Sequence, residues 1–320
     1  MNRRFAFIQA LVSLVALAAV VWWASRQESP HIPTGGHAVA WIAAGIALYV
    51  LATMVRAERW HQILEHTGVN AKRSDCYALT TVGYMGNNVL PARAGEALRV
   101  VLLAPRCNAS KRTLISSIVA ERVLDVTALL TIFVVTVYGV LESSEVLPTN
   151  RPLLVTGIGI LLVLVAVVAI WVLRSHHVFA RIRDWLRPLA DSPRALVSRW
   201  GLVLLAGTVL LWTIEGSVYW SVARALEIDM SIGGALYLVA LTNFVAALPA
   251  APGSIGTFDA AVAWGLHRLG STGSAAVSYV LLIRFVLYVP ITLVGLVVLV
   301  TRYGGWSRLR SATRLEASSA

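Results

Sequence analysis

Residues 87–99 have the sequence NNVLPARAGEALR, and this stretch decides the fold of the chain. It places two asparagines, a proline, a glycine and three charges in a very apolar region. The apolar segments on either side, 77–85 and 100–103, are shorter than the roughly 20 residues that a membrane-spanning helix needs. Broken backbone survives at membrane depth only where protein buries it or where it lines a watery cavity. We therefore predict that residues 75–104 form a re-entrant helical hairpin with a polar tip.

Residues 248–260, LPAAPGSIGTFDA, echo the first stretch. Both contain Leu-Pro-Ala, then a glycine, a carboxylate and an alanine, although so short a match is weak by itself. The arms that flank the second stretch, 233–248 and 258–269, are again too short to cross a membrane. We predict a second re-entrant hairpin over residues 233–269.

The composition is that of a polytopic membrane protein. The 320 residues are 58% hydrophobic and only 13% charged, with a mean hydropathy of +0.73, whereas soluble domains are about 25% charged. The length fits a single membrane domain, residues 1–320. The net charge of +11 indicates basic cytoplasmic loops rather than nucleic-acid binding, because no RNA- or DNA-binding module is visible. The spacing of the two cysteines and of the histidines predicts no metal site.

Long apolar runs predict an all-α fold with about six full spanning helices besides the two hairpins. The first two helices lie within residues 5–55, the second of them at 37–55. Helices three and four lie within 113–173, and a basic cytoplasmic segment follows at 174–199. The remaining predicted segments are helix five at 200–223, helix six at 273–300 and a cytoplasmic tail at 301–320.

The distribution of Lys and Arg predicts the orientation. We assign 19 of the 27 to the cytoplasmic side, four to outer loops and four to membrane depth, the last being Arg93, Arg99, Arg122 and Arg284. Because basic residues concentrate in cytoplasmic loops, we expect a multi-pass protein of the cell membrane with both termini in the cytoplasm. The hairpins then enter from opposite faces, which predicts an inverted repeat. In transporters built this way, the broken helices form the binding site near the midplane.

Several charges in or near the predicted helices have two interpretations. Arg56 and Arg59 share a helix face. They either anchor the helix end at the interface, beside Trp60 in the aromatic belt, or form a basic ledge for lipid phosphate. Glu121 and Asp125 also share a face, and they either belong to an ordinary structural ion pair or pair with the arginines of the first hairpin.

Two lone charges lie in helices five and six. They are Glu215 and Arg284, which we predict to pair across the bundle. Glu215 is alternatively a proton carrier, if transport is coupled to protons.

Three motifs together resemble the lysylphosphatidylglycerol synthase transmembrane region, a flippase-like membrane domain that also occurs as a stand-alone protein. The motif residues are Asn88, Leu90, Pro91, Arg93, Gly95, Glu96 and Arg99, then Glu121, Arg122 and Asp125, and then Leu248, Pro249, Pro252, Gly253 and Gly256. The resemblance covers about residues 56–300, and Asp259 stands where the family commonly has glutamate. The larger synthases add a soluble aminoacyl-transferase domain, which this sequence does not show, so aminoacylation of lipid is not expected.

The resemblance implies that the chain moves a lipid between membrane leaflets. The expected partner is a membrane phospholipid or a polyprenyl-phosphate-type lipid, with an anionic or phosphate-bearing head group, and a homo-oligomer is compatible with the sequence. The residues expected to bind the head group are Asn88, Arg93, Glu96, Arg99, Glu121, Arg122, Asp125, Gly253, Gly256 and Asp259.

The chemistry of these side chains suits a lipid phosphate. The guanidinium groups of Arg93 and Arg99 give bidentate contacts to phosphate oxygens, and Glu96 between them either orients or competes for them. Backbone N–H groups of residues 253–257, at the start of a helix, can receive an anion. The alternative is structural: the arginines belong to a salt-bridge network, and Asp259 caps the helix.

The sequence contains no phosphate-binding loop of the Walker type, no nucleophile elbow and no HExxH motif. We therefore expect the chain not to be an enzyme and to use no cofactor. One alternative is a membrane enzyme that acts on a lipid-linked substrate, with Glu96, Glu121 and Asp125 as acid/base groups. The other is an accessory scaffold for cell-envelope synthesis.

Overall fold

The structure, a computed structural model, describes residues 14–15, 17–27, 30, 33–90, 94–137, 199–246 and 252–305. These parts of the chain are almost entirely helical and contain no strand. The predicted fourth span lies outside the described residues, as do the basic segment apart from residue 199 and most of the tail. Of the first span, predicted over residues 5–24, residues 14–15 and 17–24 are described as helical.

Eight helices have defined bounds in the described part of the chain. They are α1 (Gly36–His66), α2 (Arg73–Val89), α3 (Gly95–Cys107), α4 (Lys111–Val135), α5 (Arg199–Ala225), α6 (Ile232–Ala246), α7 (Thr257–Arg268) and α8 (Gly273–Tyr303). A short 3₁₀ turn, Pro252–Ser254, precedes α7. Three of the described helices are long and apolar enough to cross a membrane: α1, residues 200–225 of α5, and α8. The prediction of an all-helical membrane protein is confirmed, whereas the number of spans, the re-entrant hairpins and the inverted repeat stay predictions.

The helix predicted at 37–55 extends to His66, and the difference has a physical cause. Arg56, Arg59 and Trp60 are at most 4% exposed, so they lie inside the bundle and not at a helix end in the interface. Neither interpretation of the two arginines as interfacial groups is therefore correct. Their charges are matched by carboxylates on α4 and α5, and this allows the helix to continue through the core. α1 packs extensively against α5.

The first hairpin sequence forms two short helices that pack against each other. α2 has 17 residues and α3 has 13, and the chain between them leaves the helical conformation at Leu90. The helices approach closely because glycines face each other: a Cβ atom at Gly86 would come within 2.6 Å of the Cα atom of Gly95. The side chain of Asn87 accepts a hydrogen bond of 3.0 Å from the backbone N–H of Gly95, which caps the start of α3.

The second hairpin sequence gives another broken pair, α6 with 15 residues and α7 with 12, which also pack against each other. Gly253 and Gly256 adopt positive φ angles of 63° and 85°, which glycine tolerates without steric cost. The backbone N–H of Gly256 donates to Oδ2 of Asp259 at 2.9 Å, so this carboxylate caps α7. Both breaks thus fall in stretches whose sequence contains proline and glycine.

The two breaks lie next to each other in space. The turn Pro252–Ser254 packs against α2, and a Cβ atom at Gly253 would lie 3.3 Å from the carbonyl oxygen of Asn88. The amide of Asn88 also donates to Oγ1 of Thr292 on α8 at 2.9 Å. α8 packs closely along α2, where a Cβ atom at Gly295 would come within 2.6 Å of a backbone carbonyl. α8 therefore brings the end of α2 and the second break to one place.

A buried carboxylate joins the outer ends of α2, α3 and α8. Asp75 accepts hydrogen bonds from Arg106 at 3.0 Å, from Arg302 at 2.9 Å and from the hydroxyl of Tyr303 at 3.1 Å. The carboxylate is buried, whereas both guanidinium groups are about one-third exposed. The first broken pair is thereby fixed to α8 at the end remote from its break.

Candidate functional site

A polar cavity of about 100 Å³ lies where the two helix breaks meet. Its described lining residues are Tyr49, Tyr84, Asn87, Asn88, Glu215, Tyr219, Thr242, Asn243, Ala246, Gly253, Ser254, Phe258, Leu287 and Tyr288. They come from α1, α2, α5, α6, α7, α8 and the second break. Nine of the fourteen described lining residues carry a hydroxyl or an amide group in a bundle that is otherwise strongly apolar, and convergent polar groups fix the orientation of a ligand in such a site.

Glu215 is the charged residue among the described lining residues. Its Oε2 atom forms a short ion pair with the guanidinium group of Arg56, and both side chains are more than 90% buried. Arg56 lies over the rings of Tyr84, at 5.5 Å, and Trp212, at 4.7 Å. Its Nη1 atom is buried and has no hydrogen-bond partner in the described part of the chain. An aromatic clamp thus holds Arg56 directly behind the carboxylate.

Two tyrosine hydroxyls in the cavity wall remain free for a ligand. The hydroxyl groups of Tyr49 and Tyr84 form no hydrogen bond with any residue that the structure describes, although Tyr49 is only 7% exposed. By contrast, the hydroxyl of Tyr219 is 2.9 Å from Oγ1 of Thr242. Buried polar groups are normally hydrogen-bonded, so the free hydroxyl of Tyr49 indicates a place for a polar ligand or water.

Ion pairs hold the second break against α8. Arg284 donates from Nε to Oδ1 of Asp259 at 2.7 Å and from Nη2 to Oδ2 at 2.9 Å, a bidentate contact. Its Nη1 atom donates to the carbonyl oxygen of Gly253 at 3.1 Å. The guanidinium group also lies over the rings of Phe258 and Tyr288, which line the cavity. Arg284 therefore fixes one wall of the cavity.

A second group of buried charges lies between α1, α3 and α4. Arg59 binds Asp125 at 2.8 Å and lies 3.7 Å from Glu121, while Arg99 binds Glu121 at 2.7 Å and stacks on Trp60 at 3.9 Å. The partly exposed Arg122 extends this group, since it lies 3.4 Å from Asp125 and 3.7 Å from Glu96. The prediction that the carboxylates of α4 pair with an arginine of the first hairpin is therefore correct for Arg99 and Glu121.

The structure distributes the predicted head-group residues over three places. Asn88 and Gly253 line the cavity, and Asp259 and Gly256 form the helix cap just behind it. The remaining described ones belong to the buried charge group: Glu96, Arg99, Glu121, Arg122 and Asp125. Arg93 lies outside the described residues. Head-group binding by these residues stays a prediction.

The predicted pairing of Glu215 with Arg284 is wrong, because Glu215 binds Arg56 and Arg284 binds Asp259. Both carboxylates have a nearer arginine on a neighbouring helix. Sequence reasoning also missed the tyrosines of the cavity, of which Tyr49 and Tyr84 are examples. Tyrosine is common in membrane helices, and no spacing in the sequence singles these two out. The feature of the sequence that could have indicated the cavity was Glu215, the lone carboxylate in predicted helix five.

The model of the family described as the lysylphosphatidylglycerol synthase transmembrane region matches residues 7–295. The chain belongs to this family. The match covers the charge group, both broken helix pairs and the cavity. Within the 320 residues no aminoacyl-transferase domain is detected. No solved structure gives a significant match.

Three curated relatives are similar to this member of the family. Glycosyltransferase AglD of Haloferax volcanii is 24% identical over 331 residues, which is 89% of this chain and 52% of the relative. The UPF0104 membrane protein MJ1595 of Methanocaldococcus jannaschii is 23% identical over 279 residues, 80% of this chain and 82% of the relative. The UPF0104 membrane protein MJ1078 of the same organism is 21% identical over 215 residues, 65% of this chain and 90% of the relative.

The similarity to a protein named as a glycosyltransferase contradicts our expectation that the chain is not an enzyme. That expectation rested on the absence of hydrolase and nucleotide-binding motifs from the sequence. The absence of these motifs does not exclude glycosyl transfer. The chain spans about half the length of this relative. The similarity therefore concerns a part of that protein, whereas the name glycosyltransferase describes the whole of it.

Proposed function

We propose that this family member is a membrane enzyme, or the membrane part of one, that acts on a lipid-linked substrate. The observation that carries the proposal is the position of Glu215 in a polar cavity between two broken helix pairs. The similarity of nearly the whole chain to part of a protein named as a glycosyltransferase supports it. The apolar bundle around the cavity suits a substrate whose lipid part remains in the membrane.

The cavity offers the groups that acid/base chemistry on a hydroxyl needs. We assign to Glu215 the role of accepting the proton of a substrate hydroxyl, because it is the carboxylate that lines the cavity. Glu121 and Asp125 fit this role less well, because neither lines the cavity and each lies within 4 Å of two arginines. Arg56 is the positioning residue, because its ion pair fixes the carboxylate of Glu215.

The test compares membranes that contain wild-type protein with membranes that contain Glu215→Gln. A general acid or base contributes about 10²- to 10⁴-fold to a rate, so we expect at least about a 100-fold loss of conversion. The measurement is mass spectrometry of extracted lipids, with lipid-linked saccharides followed over time. Arg112→Met serves as the control, because Arg112 is exposed on α4 away from the cavity. Unchanged conversion in a folded Glu215→Gln protein would remove Glu215 from the mechanism.

A second candidate function is movement of the same lipid between leaflets, which the contact between the two breaks favours. A path that reaches the cavity from either side would allow a head group to cross. The test is leaflet exchange of fluorescent anionic and zwitterionic lipids in proteoliposomes, with Arg93→Ala and Asp259→Asn as variants. Transport changes the leaflet in which the lipid lies and leaves its chemical structure intact. An enzyme changes the chemical structure.

We also propose that the two broken pairs are re-entrant and enter from opposite faces of the cell membrane, with both termini in the cytoplasm. At about 1.5 Å per residue, the 17 residues of α2 reach about 25 Å, and the 12 residues of α7 reach about 18 Å. Both are shorter than the roughly 30 Å hydrocarbon core. Labelling of single cysteines at residues 70 and 271, on intact and on opened cells, tests the two entry sides. Equal accessibility of both sites from the outside would contradict the topology.

A further inference from the structure

We propose that the cavity takes a hydroxyl-rich, saccharide-type head group rather than a bare phosphate, an inference that rests on the proposed function of this site. The sequence alone indicated phosphate, because the guanidinium groups of Arg93 and Arg99 suit its oxygens. In the structure the described motif arginines, Arg99 and Arg122, lie beside carboxylates, and the cavity presents different chemistry.

The charge in the cavity wall selects against an anion. Glu215 is the charged side chain among the described lining residues. Its Oε2 atom binds Arg56, which lies behind it. The Oε1 atom forms no hydrogen bond with the described residues. An incoming phosphate would meet a carboxylate, and like charges at short distance repel. A hydroxyl group, by contrast, donates a charge-assisted hydrogen bond to this free oxygen.

The neutral groups of the wall can both donate and accept. The hydroxyls of Tyr49 and Tyr84 have no partner among the described residues, and a hydroxyl serves either role. Asn88 and Asn243 each use the amide nitrogen in one hydrogen bond, to Thr292 and to a backbone carbonyl, which leaves each amide oxygen as an acceptor. A polyol matches such a mixture, because every hydroxyl donates once and accepts. A fully ionised phosphate only accepts.

Aromatic rings close the remaining side. Phe258 and Tyr288 form an edge-to-face pair with ring centroids 5.5 Å apart, and both line the cavity. The C–H faces of a sugar ring pack on such apolar surfaces while its hydroxyls point toward polar groups. The volume of about 100 Å³ is smaller than the roughly 300–1,000 Å³ of pockets for drug-sized ligands. The site suits a single small head group.

The test uses the full chain in lipid nanodiscs and two amphiphiles with the same tail, hexyl β-glucoside and hexyl phosphate. Binding is measured by saturation-transfer NMR and by titration. We expect the glucoside to bind at least about tenfold more tightly. Tyr49→Phe removes one hydroxyl with little change in shape, and it should weaken glucoside binding about five- to tenfold. The matched control is Tyr237→Phe, because Tyr237 is buried on α6 but does not line the cavity.

The outcomes separate this proposal from the proposed function. Glucoside binding that Tyr49→Phe weakens and Tyr237→Phe leaves unchanged supports the proposal. Preferential binding of hexyl phosphate, or no glucoside binding by a folded protein, overturns it. The proposed function fails separately, when Glu215→Gln leaves lipid conversion unchanged. Glu215→Gln is expected to weaken glucoside binding as well, but Tyr49→Phe decides the matter if loss of the ion pair unfolds the protein.

Discussion

Replacing Arg99 by methionine should destabilise the protein strongly, although Arg99 lies outside the cavity. The change removes the partner of Glu121, whose side chain is 2% exposed, at a contact of 2.7 Å. Breaking a buried ion pair by removing one partner costs about 3–5 kcal/mol. Arg59 remains 3.7 Å from Glu121 and compensates in part, which places the cost at the lower end of the range. The methionine sulfur retains part of the contact with Trp60. We therefore expect a loss of about 3 kcal/mol, roughly a 150-fold change in the unfolding equilibrium.

Unfolding in mixed micelles, followed by tryptophan fluorescence as the denaturing detergent increases, measures this loss. The control Arg112→Met removes an exposed arginine from α4 and should stay within about 0.5 kcal/mol of the wild type. The double variant Arg99→Met/Glu121→Leu should recover about 2 kcal/mol relative to Arg99→Met, because it removes the uncompensated charge. The reasoning is refuted if Arg99→Met is as stable as Arg112→Met, or if the double variant recovers nothing.

Three further changes test other contacts. Gly95→Ala should lower the free energy of unfolding by about 1–3 kcal/mol, because its Cβ atom would overlap a backbone carbonyl of α2. The control Gly207→Ala, whose Cβ atom meets open space, should keep the wild-type thermal midpoint. Equal midpoints for the two variants would contradict the close packing of α2 and α3. Asp259→Asn should lower the midpoint, because Arg284 loses its bidentate partner; an unchanged midpoint would argue against a structural role. Asp75→Asn should increase backbone hydrogen exchange at the end of α8, because Asp75 accepts hydrogen bonds from Arg302 and Tyr303 there. Hydrogen exchange followed by mass spectrometry tests this, and exchange at the wild-type rate would contradict it.

The helix breaks could be predicted from the sequence because their causes are local. Proline and glycine occur within an apolar run at both places, and the described helices end or begin there. The predicted helix five, 200–223, differs from α5 by no more than two residues at either end. The end of α1 could not be predicted, since Arg56 and Arg59 have the appearance of an interfacial anchor in the sequence. Their burial depends on carboxylates far away in the chain.

The charge pairs illustrate why the site was only partly predictable. Arg56 and Glu215 are 159 positions apart, and nothing in either neighbourhood indicates the partner. Glu121 on α4 and Arg99 on α3 are only 22 positions apart and on adjacent helices, so their pairing could be foreseen. The residues of the cavity wall are tyrosines and asparagines that membrane helices use in many roles. Only the fold brings them together.

The buried charges of this bundle fall into two kinds, and their position separates them. Ion pairs such as Arg99 with Glu121 are enclosed on all sides, and apolar residues of similar volume often give equal or greater stability. Such pairs serve best to specify which helices meet, because a misplaced helix would leave a charge unpaired. Glu215 differs, since one of its oxygens remains unoccupied beside an open cavity. A carboxylate that only joined α5 to α1 would need no such space. Its placement is explained when a ligand completes the hydrogen bonds that the fold leaves unmade.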